Sequence, residues 1–406
     1  MSILPKLSTM STAILFILVS PASHAGKAPS QEEMWRLIQQ QQRQIESLRK
    51  QLQNTDAKAE TAVEAVESGR PAASAKAGWI VAERTHIGGY GELHYNNLSG
   101  EGSVSDKREI DMHRFVLFVG HEFNDRLRFF SELEVEHVLA GDGEPGEVEL
   151  EQAYIEADIT DAMRARAGVF LLPVGIINET HEPPTFYGVE RNPVEHDIIP
   201  ATWWAAGLAL AGEFGAGWHY DLAIHEGLQA SGPSYQPRGG RQESAKAVAE
   251  NLAYTARLKW TGITGLELAG SLHYQSDITQ GNDPDAGGAW LYEAHAIYQR
   301  GPFGLKALYA RWNLDGAGPE AVGADRQDGG YIEPSWKLND GFGLFTRYNV
   351  WDNAAGNGVA SRKSQWNVGL NWWLDPDVVV KLDYQYQDND DGIEHNGVNL
   401  GVGFQF

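Results

Sequence analysis

Glu179, His181, Glu182, Arg191, Glu195, His196 and Asp197 crowd into one stretch, 174–201, with prolines at 183, 184, 193 and 200. Proline restricts the backbone and holds such charges at fixed positions. Their chemistry is electrostatic: at short range, with little screening, a fixed charge sorts ions by sign. A second set is basic. Arg126, Arg128, Arg164, Arg166, Arg257, Lys259, Lys306, Lys337 and Lys381 lie within a few residues of turn signals. A third is acidic, Glu132, Glu134, Glu136, Asp221, Glu267 and Glu293, on the same alternating register. The pattern predicts a basic ring at one mouth of an aqueous passage, with more acidic sections beyond it. Basic side chains also snorkel at membrane edges, a second account of the same set.

Bond-making chemistry has no signature. There is no P-loop and no Gly-x-Ser-x-Gly elbow, and Gly88, Gly89 and Gly91 do not match a dinucleotide fingerprint. The chain is read as a non-enzyme. With no cysteine, neither disulfides nor thiolate metal sites can form. The 13 histidines lack a compact spacing such as His-Glu-x-x-His. His219, His225, His273 and His295 are read as polar lumen residues, and neither metal nor cofactor is expected. A net charge of −23 argues against nucleic acid, whose phosphates need a basic face.

The elements that must hold these residues are strands. In 126–137, Leu127, Phe129, Leu133 and Val135 alternate with Arg126, Arg128, Glu132, Glu134 and Glu136. Trp218, Tyr220, Leu222 and Ile224 alternate with His219, Asp221, Ala223 and His225, and similar runs occur at 252–260 and 378–387. Period-2 alternation with aromatics near strand ends is the pattern of a membrane barrel. Short turns at 124–125, 160–161, 215–217, 262–264, 301–302, 339–340 and 375–376 interleave with long loops at 97–108, 140–146, 174–201, 228–250, 276–288, 314–327, 352–362 and 388–395. This predicts an all-β fold, a transmembrane antiparallel β-barrel of about sixteen strands over 86–406, with an aqueous interior.

Three segments precede the barrel. Residues 1–25 read as a signal peptide, with Lys6, an apolar run at 13–19 and Ser23-His24-Ala25 before the cut. Residues 26–53 read as a short coiled-coil helix, from the heptad spacing of Ile38, Ile45 and Leu52. Residues 54–85 read as a linker. With such a leader, and a C-terminal Phe406 that resembles the signal read by the outer-membrane assembly machinery, the chain is expected in the outer membrane of a Gram-negative cell. Lipids and lipopolysaccharide are expected neighbours, the latter through cations at Asp283 and Asp285 or Asp388, Asp390 and Asp391. A homotrimer is expected, with peptidoglycan a further candidate partner.

Three stretches resemble the phosphate-selective porin O/P family: 88–95 (GGYGELHY), 114–120 (RFVLFVG) and 168–175 (GVFLLPVG). The resemblance implies a trimeric, sixteen-stranded porin with a constricting third loop and an Arg/Lys-lined lumen. This chain departs from that lining, because acids stand among its bases. The expected function is passive diffusion of small hydrophilic, charged solutes. Two alternatives are a channel specific for phosphate-like anions, a sugar or a metal ion, and a structural tether acting through the coiled coil. For a sugar path, Phe118, Phe130, Phe170 and Trp312 face inward without forming a clear track.

Overall fold

The computed structural model describes residues 79–82 and 84–406, with side chains from Arg84 onward. The expected signal peptide, coiled-coil segment and most of the linker lie outside the described residues. A four-residue strand, β1 (Trp79–Ala82), occupies the end of the expected linker and pairs with residues 85–87.

Sixteen strands follow: β2 (Thr85–Glu101), β3 (Lys107–Asn124), β4 (Leu127–Glu136), β5 (Val148–Thr160), β6 (Met163–Leu171), β7 (Trp204–Phe214), β8 (Trp218–His225), β9 (Ala253–Ile263), β10 (Leu266–Gln275), β11 (Ala289–Arg300), β12 (Phe303–Leu314), β13 (Arg326–Asn339), β14 (Phe342–Asp352), β15 (Lys363–Asp375), β16 (Val378–Gln387) and β17 (Glu394–Gln405). Each pairs antiparallel with its neighbour in sequence, and β17 pairs with β2, so the sheet closes on itself. Closure removes the open edges that a membrane would not tolerate. Connections of two or three residues alternate with long ones, as the turn and loop signals predict.

The outward register is apolar. Leu208, Leu222, Leu258, Leu268 and Val368 form a lipid-facing band, all exposed. Phe214, Trp218, Trp336, Phe342 and Trp372 stand beside the short turns, and Tyr254, Tyr292, Tyr309, Trp366 and Tyr386 near the opposite strand ends. These are the two aromatic girdles of a membrane barrel. The inward register is mixed, polar and aromatic side chains with aliphatic ones such as Leu291 and Leu308, and its buried residues pack around the connection between β6 and β7.

Candidate functional site

Residues 172–203, between β6 and β7, fold against the inward register and are mostly buried. A single helical turn at Val194–Ile198 carries Glu195. The Glu195 carboxylate accepts from the amides of Ile176 and Ile177, both at 2.7 Å, and from the Tyr331 hydroxyl of β13 at 2.7 Å. Gly175 makes this clasp possible: its φ is +81°, and a Cβ there would stand 2.6 Å from Glu195 Oε2. Glu195 is fully buried, so its charge holds the segment together and is not presented to a solute.

The other charges of the segment are also engaged. Glu179 pairs with Arg257 of β9. His181 is buried between Glu132 and Glu151, and Glu182 is buried too. Burial alone would lower the His181 pKa, but the two facing carboxylates outweigh it and raise the imidazole to about 10. Arg191 donates to Thr202 Oγ1 at 2.6 Å. His196 and Asp197 bond to each other at 2.6 Å and are the more solvent-facing pair. Glu190, absent from the sequence-derived set, meets His94 at 3.2 Å and Asn96 at 2.9 Å. Desolvation raises its pKa, yet His94 and Asn96 hold the carboxyl well below the usual range. From the next long connection, Arg238 donates to Ala201 O at 2.6 Å and Arg241 to Thr202 O at 2.5 Å. Burial, then the neighbouring Arg241 and Arg191, bring the Arg238 guanidinium down to about 10.

The wall from β4 to β11 carries a belt of alternating charge near the short turns. Arg128 bonds Glu156 at 2.7 Å and Asp158 at 2.6 Å. Arg166 also binds Glu156 and lies over the Tyr154 ring, and Arg164 approaches Glu156 at 3.9 Å. Arg257 bridges Asp221, at 2.8 Å, and Glu179. Lys259 reaches Glu267 at 3.8 Å, and His295 joins Glu267 at 3.3 Å to Glu293 at 2.7 Å. Most of these side chains retain partial solvent contact. The bases therefore face acids of the neighbouring strands rather than forming an unpaired ladder.

Four residues of the basic set lie apart from this belt. Arg126 is exposed in the turn before β4 and not on a strand. Lys337 is exposed, with Nζ 5.0 Å over the Trp373 ring. Lys306 is half-buried, opposite Glu333 in the β12–β13 register. Lys381 is buried under the inserted segment, its Nζ 3.4 Å over the Phe186 ring. Of the acidic set, Glu132 and Glu134 are buried in the β4 wall and Glu136 is half-buried at its end.

The wall from β14 to β17 is different. Asn349, Gln365, Asn367, Asn371, Gln385 and Asn399 are buried there. Gln387 donates to Gln365 (2.9 Å), Gln365 to Asn367 (2.8 Å), and Asn367 and Asn399 both to Asp383 (3.0 and 3.1 Å). Asp383 also accepts the Val189 amide at 2.8 Å, and Asn371 donates to Phe186 O at 2.9 Å. Gly403 admits the segment, because a Cβ there would collide with Pro183. Arg347, buried against Glu333 at 3.0 Å, completes this docking face.

Two further groups differ from the sequence expectation. Phe118 and Phe130 are joined by Tyr90 and Tyr154 into one row, at centroid steps of 5.7 Å. His225 and His273 are linked through Thr255, at 3.0 Å each, and pack around Trp203 rather than lining open space.

Comparison with known proteins agrees with this geometry. An uncharacterised protein of Aquifex aeolicus (strain VF5) is 28% identical over 367 residues, covering 80% of this chain and 81% of that protein. Similar solved structures include OprB of Pseudomonas putida (12% identity, TM-score 0.55, covering 80% of this chain and 95% of that one). They also include an anion-selective porin from Comamonas acidovorans (11%, 0.53, 79% and 99%) and the outer-membrane channel DcaP of Acinetobacter baumannii (13%, 0.53, 79% and 97%). At such identities these structures establish the fold. Residues 271–406 match the family described as phosphate-selective porin O and P, the same family that the stretches at 88–95, 114–120 and 168–175 resemble.

Proposed function

We infer that the chain is an outer-membrane porin, giving passive diffusion to small hydrophilic solutes, charged ones included, past the β4–β11 wall. The observation that carries this reading is the closed sixteen-stranded barrel with its partly wetted charge belt inside. No covalent step is needed. Fixed charges order water and ions, and concentration gradients drive flow.

The belt sets Arg128, Arg164, Arg166, Arg257 and Lys259 against Glu156, Asp158, Asp221, Glu267 and Glu179. Such balance favours weak ion selectivity rather than the strong anion preference of a basic ladder. The 172–203 segment supplies the constriction, with His196 and Asp197 its most exposed charges. Homotrimer assembly, contact with lipopolysaccharide, a cleaved leader at 1–25 and attachment to peptidoglycan through 26–53 belong to the same proposal.

Reversal potential in a KCl gradient across a planar bilayer is the test. Current steps with a potential near zero are expected. Absence of steps overturns the channel, and a potential near the chloride limit overturns the balanced wall.

A further inference from the structure

Three polar side chains meet behind the aromatic row with their binding atoms unused. Glu132 Oε1 of β4, Glu151 Oε2 of β5 and His181 Nε2 of the inserted segment lie within 4.8 Å of one another. Nε2 is 3.5 Å from the Glu132 oxygen and 3.6 Å from the Glu151 oxygen. None of the three atoms makes a hydrogen bond, although the residues are only 1–3% exposed. Ligands bound to one ion at about 2.0–2.2 Å sit roughly 3.0–3.6 Å apart, which matches these separations.

The surroundings orient these atoms as a metal site would. His181 Nδ1 lies 3.2 Å from Asn178 O, so the ring donates there and turns Nε2 toward the carboxylates, where a bound cation would displace its proton. Gln152 fixes the other oxygen of Glu132 with a 2.6 Å bond. An independent observation points to the same spot: both carboxylate oxygens of buried Glu134 and the buried Tyr90 hydroxyl also lack hydrogen-bond partners. The Tyr90 ring meets the His181 ring edge-on at 5.8 Å. Arg114, at 3.3 Å from Glu134 and shared with Glu92, and the nearby Arg191 offset part of this negative charge. Carboxylate oxygens and an imidazole nitrogen left without hydrogen bonds in one buried space suit a bound cation.

We propose that Glu132, Glu151 and His181 bind one divalent transition-metal cation of the zinc class, pinning the 172–203 segment to the β4–β5 wall. One imidazole with two carboxylates suits such ions better than calcium, which takes six or more oxygens. The neighbouring group Asp111, His113 and His137 is partly exposed, and its ring nitrogens already bond Asp111 at 2.9–3.2 Å, so it serves as a control.

The test loads purified full-length protein with Zn²⁺, dialyses it and measures zinc per chain, with Co²⁺ absorption as a second probe. Heat-dependent gel mobility reports that the barrel of each variant has folded. Wild type and the H113Q/H137Q control should retain one equivalent. H181Q and, separately, E151Q should weaken binding by more than the roughly 10- to 100-fold that loss of an outer partner costs. Wild type retaining no zinc overturns the proposal, since a protonated His181 then bridges the carboxylates alone. So does equal retention by folded H181Q or E151Q, or loss in the control only.

Discussion

The β4–β11 wall and the β14–β17 wall share one alternation, apolar toward lipid and mixed inward, yet their inward polar residues differ in kind. The first carries paired charges with partial access to water, such as Arg128 with Asp158 and Arg257 with Asp221. The second carries amides that are almost wholly buried, such as Asn367 and Asn399. Burial explains the division. An amide both donates and accepts without charge, so a row of them satisfies itself and an overlying loop backbone at modest cost. A charge in the same place needs a partner and still costs several kcal/mol in desolvation. The inserted segment therefore docks mainly on amides and glycines, with buried charges such as Arg347 and Asp383 held by partners, and the belt charges stand where water remains.

The sharpest way to break the comparison is to release the segment. Glu195→Ala removes the acceptor shared by Ile176, Ile177 and Tyr331. Stranding buried donors costs about 1–3 kcal/mol each. The 172–203 segment should then become protease-sensitive and single-channel current noisy, while the barrel stays folded. Unchanged proteolysis and quiet current would show that the amide face suffices.

Next in size is a sign reversal on the charged wall. Arg257→Glu changes two units of charge beside Asp221 and Glu179. At an intermediate dielectric and ~8 Å from a passing ion, each unit is worth on the order of 1 kcal/mol. The cation/anion permeability ratio should rise at least about fivefold, read as a shift in reversal potential. No shift would remove this wall from the path. Asn371→Ala, on the other wall, loses the bond to Phe186 O. It should cost about 1 kcal/mol in segment stability and leave reversal potential unchanged. A selectivity change there would mean that ions pass on the amide side.

The smallest expected effect is one of pH. Glu190 has a folded pKa below its ordinary 4.5. Its contribution is present above that ordinary value and is lost as pH falls below it toward the folded value. Proteolysis of the segment should increase on acidification below about pH 4.5, and Glu190→Gln should flatten that response.

Much of the fold was legible in the residues. Period-2 runs such as 218–225 fixed which side chains face lipid, because a strand turns successive residues to opposite sides. Turn residues at 215–217 and 301–302 marked the short connections, since Gly and Pro set dihedrals locally. The position of 172–203 was legible from its charge and proline density. Its internal roles were not: Glu195 reads as one more acid until its three donors, two from the segment's start and one from β13, come together. Glu190 shares the segment's charge signal, but its role, like those of Arg114 and the amide row, exists only through strands distant in the chain.

Sequence alone determined the register, the alternation of turns and loops, and the sign of each inward charge, all consequences of backbone geometry acting within about ten residues. Tertiary structure decided which charges are neutralised, which wall the inserted segment covers, and that Glu132, Glu151 and His181 converge. Closing the sheet sets those distances, and closure joins residues separated by hundreds of positions, as Asn96 and Asn399 are at 2.9 Å.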